Sequence, residues 1–190
     1  MTDILKPGSG LLYMKVGMHA QESLDEIVER KLAEIAKNGI ATWGYGGSSC
    51  HPRTMVQPFA DRHAAAGRPI HLVMESVHSK HDHLPVRASH WSTDNLKWDE
   101  IPDGINALGS KFALVIGDLR VEQFELPLDQ TRVALGPSEG KVGALYIKGQ
   151  CDKACLEVVA NSPPPNVDRK QVKSIGLVAE LVAPYAVFLR

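Results

Sequence analysis

The sequence predicts a single α+β domain over residues 1–190, with a mixed or mostly antiparallel sheet, one long N-terminal helix and a short second helix. Seven or more segments carry strand patterns, whereas only two carry helix patterns, and the two kinds do not alternate as in a doubly wound sheet. The length of 190 residues and the apolar fraction of 44% suit one domain with a sizeable core. An open sheet and a partial barrel both fit this pattern.

The long helix is predicted between Ser23 and Gly39. Ser23 and Glu26 have the Ser-x-x-Glu spacing of a capping box, in which each side chain satisfies a backbone N–H group near the helix start. Gly39, which follows an asparagine, supplies the usual stop. The apolar residues that repeat at helical spacing are predicted to face the core: Leu24, Ile27, Val28, Leu32 and Ile35.

The short second helix is predicted to start at Pro58, because proline is favoured in the first helical turn, and to end before Gly67. Strand patterns follow at residues 70–77, 86–91, 112–116, 144–147, 175–182 and 185–189, after earlier ones at 11–16 and 40–42, with weaker candidates at 119–122 and 155–159. Pro184 is predicted to break the last segment in two, because it cannot donate to a central ladder. The Pro-rich stretch 161–166 is predicted to be an exposed connector to the last strands.

Composition restricts the class of partner. The chain has 21 basic and 22 acidic residues and no broad basic block, so long duplex nucleic acid is not an expected partner. No segment approaches the roughly 20 apolar residues that span a bilayer, so no membrane partner is expected. The start lacks a secretory signal, and three cysteines do not suit a disulfide framework, so we expect a cytoplasmic protein with reduced thiols. The oligomeric state is not indicated.

A glycine-rich segment between Trp43 and Pro52 is the strongest sign of a site. Three glycines in four positions open backbone conformations closed to other residues, so the chain can approach a ligand closely. Flat aromatic rings in such a loop can stack on a planar ligand, although such rings more commonly fill a core. The residues of this segment that we predict to bind a ligand are Trp43, Tyr45, Gly46, Gly47 and Ser48.

A second aromatic segment follows at His90. Trp91 leads directly into four hydrogen-bonding side chains at a predicted strand end, and Asp94 is the carboxylate among them. His90, Trp91 and Asp94 are therefore predicted to complete a pocket for a planar polar molecule, such as a nucleotide or a modified base.

Cys50 is the leading candidate for a nucleophile, since thiolates are strong nucleophiles, and His51 is the adjacent candidate catalytic residue. Adjacent side chains in an extended segment point apart, so a base from elsewhere in the chain is also compatible with the pattern. The alternative is a small buried thiol beside a tight turn.

Histidines cluster at His78, His81 and His83, and imidazole is a good zinc ligand. The spacing departs from the His-x-His-x-Asp-His signature of metallo-β-lactamase-like hydrolases, because two residues separate His78 from His81. A zinc site and a solvated polar loop are the two interpretations of this run.

Three functions follow from these features. The favoured one is a domain that binds a planar polar ligand. The second is a hydrolase or phosphodiesterase that acts on a nucleotide-like substrate through Cys50 or a histidine pair. The third is a structural or interaction protein, in which the glycine loop and the histidines are ordinary surface features.

Overall fold

The computed structural model describes residues 3–46, 51–79, 83–148, 151–160 and 171–190. Within these ranges the chain forms three helices and nine strands, and the predicted α+β class is confirmed. The helices are α1 (Leu24–Asn38), α2 (Arg53–Ala65) and α3 (Gly143–Tyr146). The strands are β1 (Gly10–Val16), β2 (Ala41–Gly44), β3 (Ile70–Ser76), β4 (His90–Ser92), β5 (Asp99–Glu100), β6 (Phe112–Pro127), β7 (Thr131–Val133), β8 (Lys153–Val158) and β9 (Val172–Leu189). The predicted connector 161–166 lies outside the described residues.

The contacts between residues divide the chain into two compact units. The first unit comprises residues 1–15, 48–76 and 120–178, and the second comprises residues 16–47, 77–119 and 179–190. The strands β6 and β9 contribute residues to both.

In the first unit the strands follow the order β6-β9-β3-β1-β8-β7. Strand β8 pairs antiparallel with β1 on one side and with β7 on the other. The core of this unit is built from apolar side chains of these strands and of α3, including the fully buried Tyr13, Leu126 and Leu156. Because side chains alternate along a strand, every second residue of β1 and β8 enters this core.

In the second unit β6 pairs with β2 and β9, and β4 pairs with β9 and β5. Trp43 of β2 lies opposite Leu114 of β6, whereas the neighbouring positions Ala113 and Val115 belong to an apolar cluster with Leu189. Since successive side chains point to opposite faces of a sheet, the tryptophan and this cluster lie on different faces.

Helix α1 begins and ends where the sequence predicts. The Ser23 hydroxyl accepts a hydrogen bond from the backbone N–H of Glu26 at 3.3 Å, and the Glu26 carboxylate accepts one from the N–H of Ser23 at 2.8 Å. Gly39 has a φ of 76° and closes the helix with a bond to the carbonyl of Ile35 at 2.8 Å. The local signals therefore determine the boundaries of this helix.

The predicted buried face of α1 is partly wrong. Ile27 and Val28 are buried as predicted, but Leu32 is 41% exposed. Lys31 and Glu34 are instead buried, with 4% and 3% exposure. The core face follows Ile27, Lys31 and Glu34 because residues spaced by four and three lie above one another on a helix.

Helix α2 starts at Arg53, five residues before the predicted start at Pro58, and the proline lies inside it. Its buried residues Val56, Phe59, Ala60 and His63 have helical spacing on both sides of the proline. Packing of this stripe therefore outweighs the hydrogen bond that Pro58 cannot make.

Three further sequence predictions need correction. Residues 144–146 of the predicted strand 144–147 belong to α3, since a short apolar run does not distinguish helix from strand. Strand β6 is continuous through Asp118, whereas the sequence patterns predict two separate segments at 112–116 and 119–122. Strand β9 continues through Pro184, where Tyr185 takes a positive φ of 70° and the preceding Ala183 is exposed. Proline is tolerated where a strand is locally irregular and no ladder donor is required.

Among the described residues, no helix combines the length and the apolar character needed to cross a membrane.

Candidate functional site

The aromatic residues of the predicted glycine-rich loop are core residues of the second unit. Trp43 belongs to β2 and is 5% exposed, and Tyr45 is fully buried with its ring edge-on to Phe112. Gly46 is exposed directly after them. Gly47 and Ser48 lie outside the described residues. The two rings therefore have the surroundings of core residues.

Trp91 lies on the other face of the same strands. It pairs with Leu189 and packs against the apolar cluster that contains Leu189 and Val187, whereas Trp43 shares its face with Leu114. The structure therefore does not bring Trp43 and Trp91 together at one pocket.

Asp94 closes the turn after β4. Its Oδ1 accepts hydrogen bonds from the backbone N–H groups of Leu96 at 2.8 Å and Lys97 at 2.9 Å, and from the Ser92 hydroxyl at 3.0 Å. The bond from Lys97 is the main cause that lowers the pKa of Asp94, and the bonds from Leu96 and Ser92 lower it further. This carboxylate thus acts as a turn-forming group of the kind that aspartate often provides.

His51 belongs to the first unit, where main-chain groups hold its ring. Nδ1 accepts a hydrogen bond from the N–H of Cys155 at 2.5 Å, and the ring also bonds the backbone of Leu135. Tyr146 stacks on the imidazole at a centroid distance of 5.2 Å. Burial lowers the pKa of His51, and the bond to Leu135 offsets part of this shift. This is the environment of a neutral structural histidine, and Cys50 lies outside the described residues.

The first unit also contains a polar cluster that the sequence does not reveal. The buried Tyr13 hydroxyl donates to the Glu75 carboxylate, and Nζ of Lys173 lies 3.4 Å from the same carboxylate oxygen. Burial is the main cause that raises the pKa of Tyr13 above its usual value, and the Glu75 carboxylate raises it further. The three groups satisfy one another, which indicates a structural role for the cluster.

The predicted zinc ligands His78 and His83 are both exposed in the second unit. His81 lies outside the described residues, so zinc binding by the three histidines stays a prediction. In the part of the chain that the structure describes, no group of three or more His, Cys, Asp or Glu side chains is arranged to hold a metal ion.

The second unit has an open cleft of about 370 Å³ between residues 87–90 and residues 100–105. A loop that we call the cleft loop (residues 101–107) forms one wall. The N–H of Ile101 donates to the carbonyl of Ser89 at 3.0 Å, and the carbonyl of Ala107 accepts from the N–H of Ala88 at 2.9 Å. Both ends of the loop are thus fixed to the same short segment, which is the geometry of a compact Ω-type loop.

Charged and polar side chains line this cleft. His90 of β4 lies opposite Glu100 of β5, and Nδ1 of His90 is 2.8 Å from the Ser89 hydroxyl oxygen. Arg87 also lines the cleft, and so does Asp103 of the cleft loop. Within the described residues, the side chains of Arg87, Glu100 and Asp103 take part in no hydrogen bond or ion pair. They are therefore available to a ligand.

The tip of the cleft loop is a tight turn. The N–H of Ile105 bonds the carbonyl of Pro102 at 3.1 Å, and Gly104 between them has a φ of +94°. A type II turn requires a positive φ at its third position, which glycine adopts without strain. The Pro-Asp-Gly run thus fixes where Asp103 projects.

Sequence reasoning identified His90 but missed the charged residues of the cleft. Arg87, Glu100 and Asp103 carry no periodic or motif signal of their own. The Pro-Asp-Gly signal at Asp103 predicts a turn, but it does not show that the turn folds back beside His90.

Sequence reasoning also missed Lys31 and Glu34, two residues of α1 that bond the cleft loop. Lys31 Nζ donates to the carbonyl oxygen of Asn106 at 2.8 Å, and Oε1 of Glu34 accepts from the N–H of Asn106 at 3.0 Å. Burial lowers the pKa of Lys31 to about 8, although Glu34 favours the charged form. The spacing of Ile27, Lys31 and Glu34 on one helix face is the signal that could have indicated their burial.

No protein-family model matches the sequence, and comparison with the curated proteins and with the solved structures found no match.

Proposed function

We propose that this protein binds a small planar polar molecule, such as a nucleotide or a related base, in the cleft beside His90. The observation that carries the proposal is the set of unpaired charged side chains, Arg87, Glu100 and Asp103, around a concavity of about 370 Å³. This volume lies at the lower end of the range typical of small-molecule sites, which suits one nucleotide better than a polymer.

The chemistry of the lining favours a ligand that carries both N–H donors and an anionic group. Glu100 and Asp103 are acceptors for the amino and ring N–H groups of a base. The guanidinium of Arg87 is suited to bidentate pairing with phosphate. The imidazole of His90 offers a flat ring and a second nitrogen beyond the one beside Ser89.

The proposal keeps the ligand class that the sequence indicates but changes the residues that contact it. Trp43 and Tyr45 are buried away from the cleft lining. Trp91 contributes by packing in the cluster that includes Ala88 and contacts Ile101, and both of these residues line the cleft. Replacing Trp91 is therefore expected to disturb the packing of the cleft walls, and not to remove a direct contact with the ligand.

The test is calorimetric titration of the full chain with adenosine, guanosine, cytidine and uridine monophosphates, with ribose 5-phosphate as a probe that lacks a base. At least one nucleotide is expected to bind, and Asp103→Asn is expected to weaken it about tenfold, the effect of losing one hydrogen bond to a charged acceptor.

Asp99→Asn is the matched control, because Asp99 is exposed on β5 and does not line the cleft. It should leave the affinity unchanged. Failure of every nucleotide to bind, or equal loss in the two variants, would overturn the proposal.

A further inference from the structure

The main chain of Asn106, at the end of the cleft loop, is held on both sides by helix α1. Its carbonyl oxygen accepts from Nζ of Lys31 at 2.8 Å and from Nη1 of Arg30 at 3.0 Å. Its N–H donates to Oε1 of Glu34 at 3.0 Å. Three side chains of one helix thus determine the position of one peptide segment.

These side chains also bind one another. Lys31 Nζ is 2.8 Å from Oε2 of Glu34, and Arg30 is 3.1 Å from Oε1 of Glu34. Arg30 continues the network to the carboxylate of Glu22 through its Nε at 2.8 Å. Because Lys31 and Glu34 are buried, both are costly to desolvate, and such ion pairs rarely add net stability. A displacement of the loop would leave these ion pairs intact but would remove the bonds between the buried charged groups and the main chain of Asn106. Because that loss is costly at a buried charge, the network favours one position of the loop.

The position of Asn106 determines the position of the cleft wall. Ile105, which lines the cleft, directly precedes Asn106 in the chain. Asp103 precedes Ile105 by two residues and belongs to the same tight turn. We infer that Arg30, Lys31 and Glu34 are positioning residues for the cleft, which hold Asp103 at the distance that a nucleotide requires without touching the ligand. The inference rests on the proposed function of the cleft.

The variant Lys31→Met tests this inference. Methionine retains most of the apolar stem but removes the ammonium group that holds the Asn106 carbonyl, and Glu34 keeps Arg30 as a partner. We expect amide hydrogen exchange at Ile105 and Asn106 to become about tenfold faster or more, with exchange in β4 and in the rest of α1 unchanged. We also expect the best-bound nucleotide monophosphate to lose about tenfold in affinity.

Glu29→Gln is the control, because Glu29 is exposed on the same helix. It is expected to leave both the exchange rates and the affinity unchanged. If Lys31→Met does not fold, Arg30→Met replaces it, since Arg30 is only partly buried and also bonds the Asn106 carbonyl.

The outcomes separate this inference from the proposed function. Local acceleration of exchange together with weaker binding supports both. Unchanged exchange in the loop, a uniform rise over the whole chain, or faster exchange with unchanged affinity overturns the positioning role and leaves the binding function standing. Absence of nucleotide binding by the unmodified protein overturns the binding function, and with it the positioning role.

Discussion

Gly143, at the start of α3, lies where no side chain fits. A Cβ atom there would be 2.0 Å from Oγ1 of Thr131 and 2.9 Å from the carbonyl oxygen of Leu128. That hydroxyl donates to the same carbonyl at 2.8 Å, so neither group can move without disturbing a buried hydrogen bond. We expect Gly143→Ala to lower the free energy of unfolding by about 1–3 kcal/mol, as overpacking does, in urea denaturation.

Gly46→Ala is the matched control. Among the described residues, a Cβ atom at Gly46 meets nothing within 4 Å, and the residue is exposed. Its free energy of unfolding should stay within about 0.5 kcal/mol of that of the unmodified protein. Equal losses in the two variants would show that close contact is not the reason for glycine at position 143.

The candidate site shows how far residue types alone can indicate a site. His90 was predicted as a ligand-binding residue because it stands beside Trp91 near a predicted strand end, and it lies at the cleft. Trp43 and Trp91 were predicted to share a pocket, but a one-residue difference in strand register moves a side chain to the other face. That register depends on the pairing with β6 and β9, which no local pattern reveals.

At the scale of elements, the capping box of α1 offers a direct test. Ser23→Ala removes the hydroxyl that accepts the Glu26 N–H and leaves the first turn with an unsatisfied donor. We expect a loss of about 1 kcal/mol in the free energy of unfolding, measured by urea denaturation.

The variant Ser23→Asp supplies the control for this prediction, since its carboxylate oxygen can also cap the helix. It should retain most of the stability. A loss in Ser23→Asp as large as that in Ser23→Ala would mean that the capping bond contributes little to α1.

Elements whose limits depend on local signals could be predicted, whereas those that depend on distant partners could not. The ends of α1 follow from Ser23, Glu26 and Gly39, all within or beside the helix. In contrast, β6 and β9 continue through Asp118 and Pro184. A bond from Leu189 N–H to the Lys111 carbonyl at 2.9 Å is one of the long-range contacts that set such limits. Local sequence patterns do not show which distant residues will form such contacts.

At the scale of the whole molecule, buried titratable groups give the stability a dependence on pH. Burial lowers the pKa of Lys31 from 10.5 to about 8. Between these two pH values the unfolded chain binds more protons at Lys31 than the folded chain does, so the free energy of unfolding rises with pH there. Burial also raises the pKa of the Cys155 thiol above 9.0, so the unfolded chain loses that proton first and stability falls above pH 9. The two effects oppose each other on the alkaline side.

On the acid side one identified group acts without such opposition. Burial lowers the pKa of His51 below 6.5, so the unfolded chain takes up a proton first as the pH falls through that value. The free energy of unfolding should therefore decrease as the pH falls below about 6.5, before Glu26 and Asp94 lose their contributions at lower pH. His51→Gln retains an acceptor for the Cys155 N–H and a donor for the main chain, but it does not titrate. In urea denaturation at several pH values, this variant should show a shallower decrease than the unmodified protein. Identical slopes in the two proteins would mean that His51 is protonated equally in the folded and unfolded states.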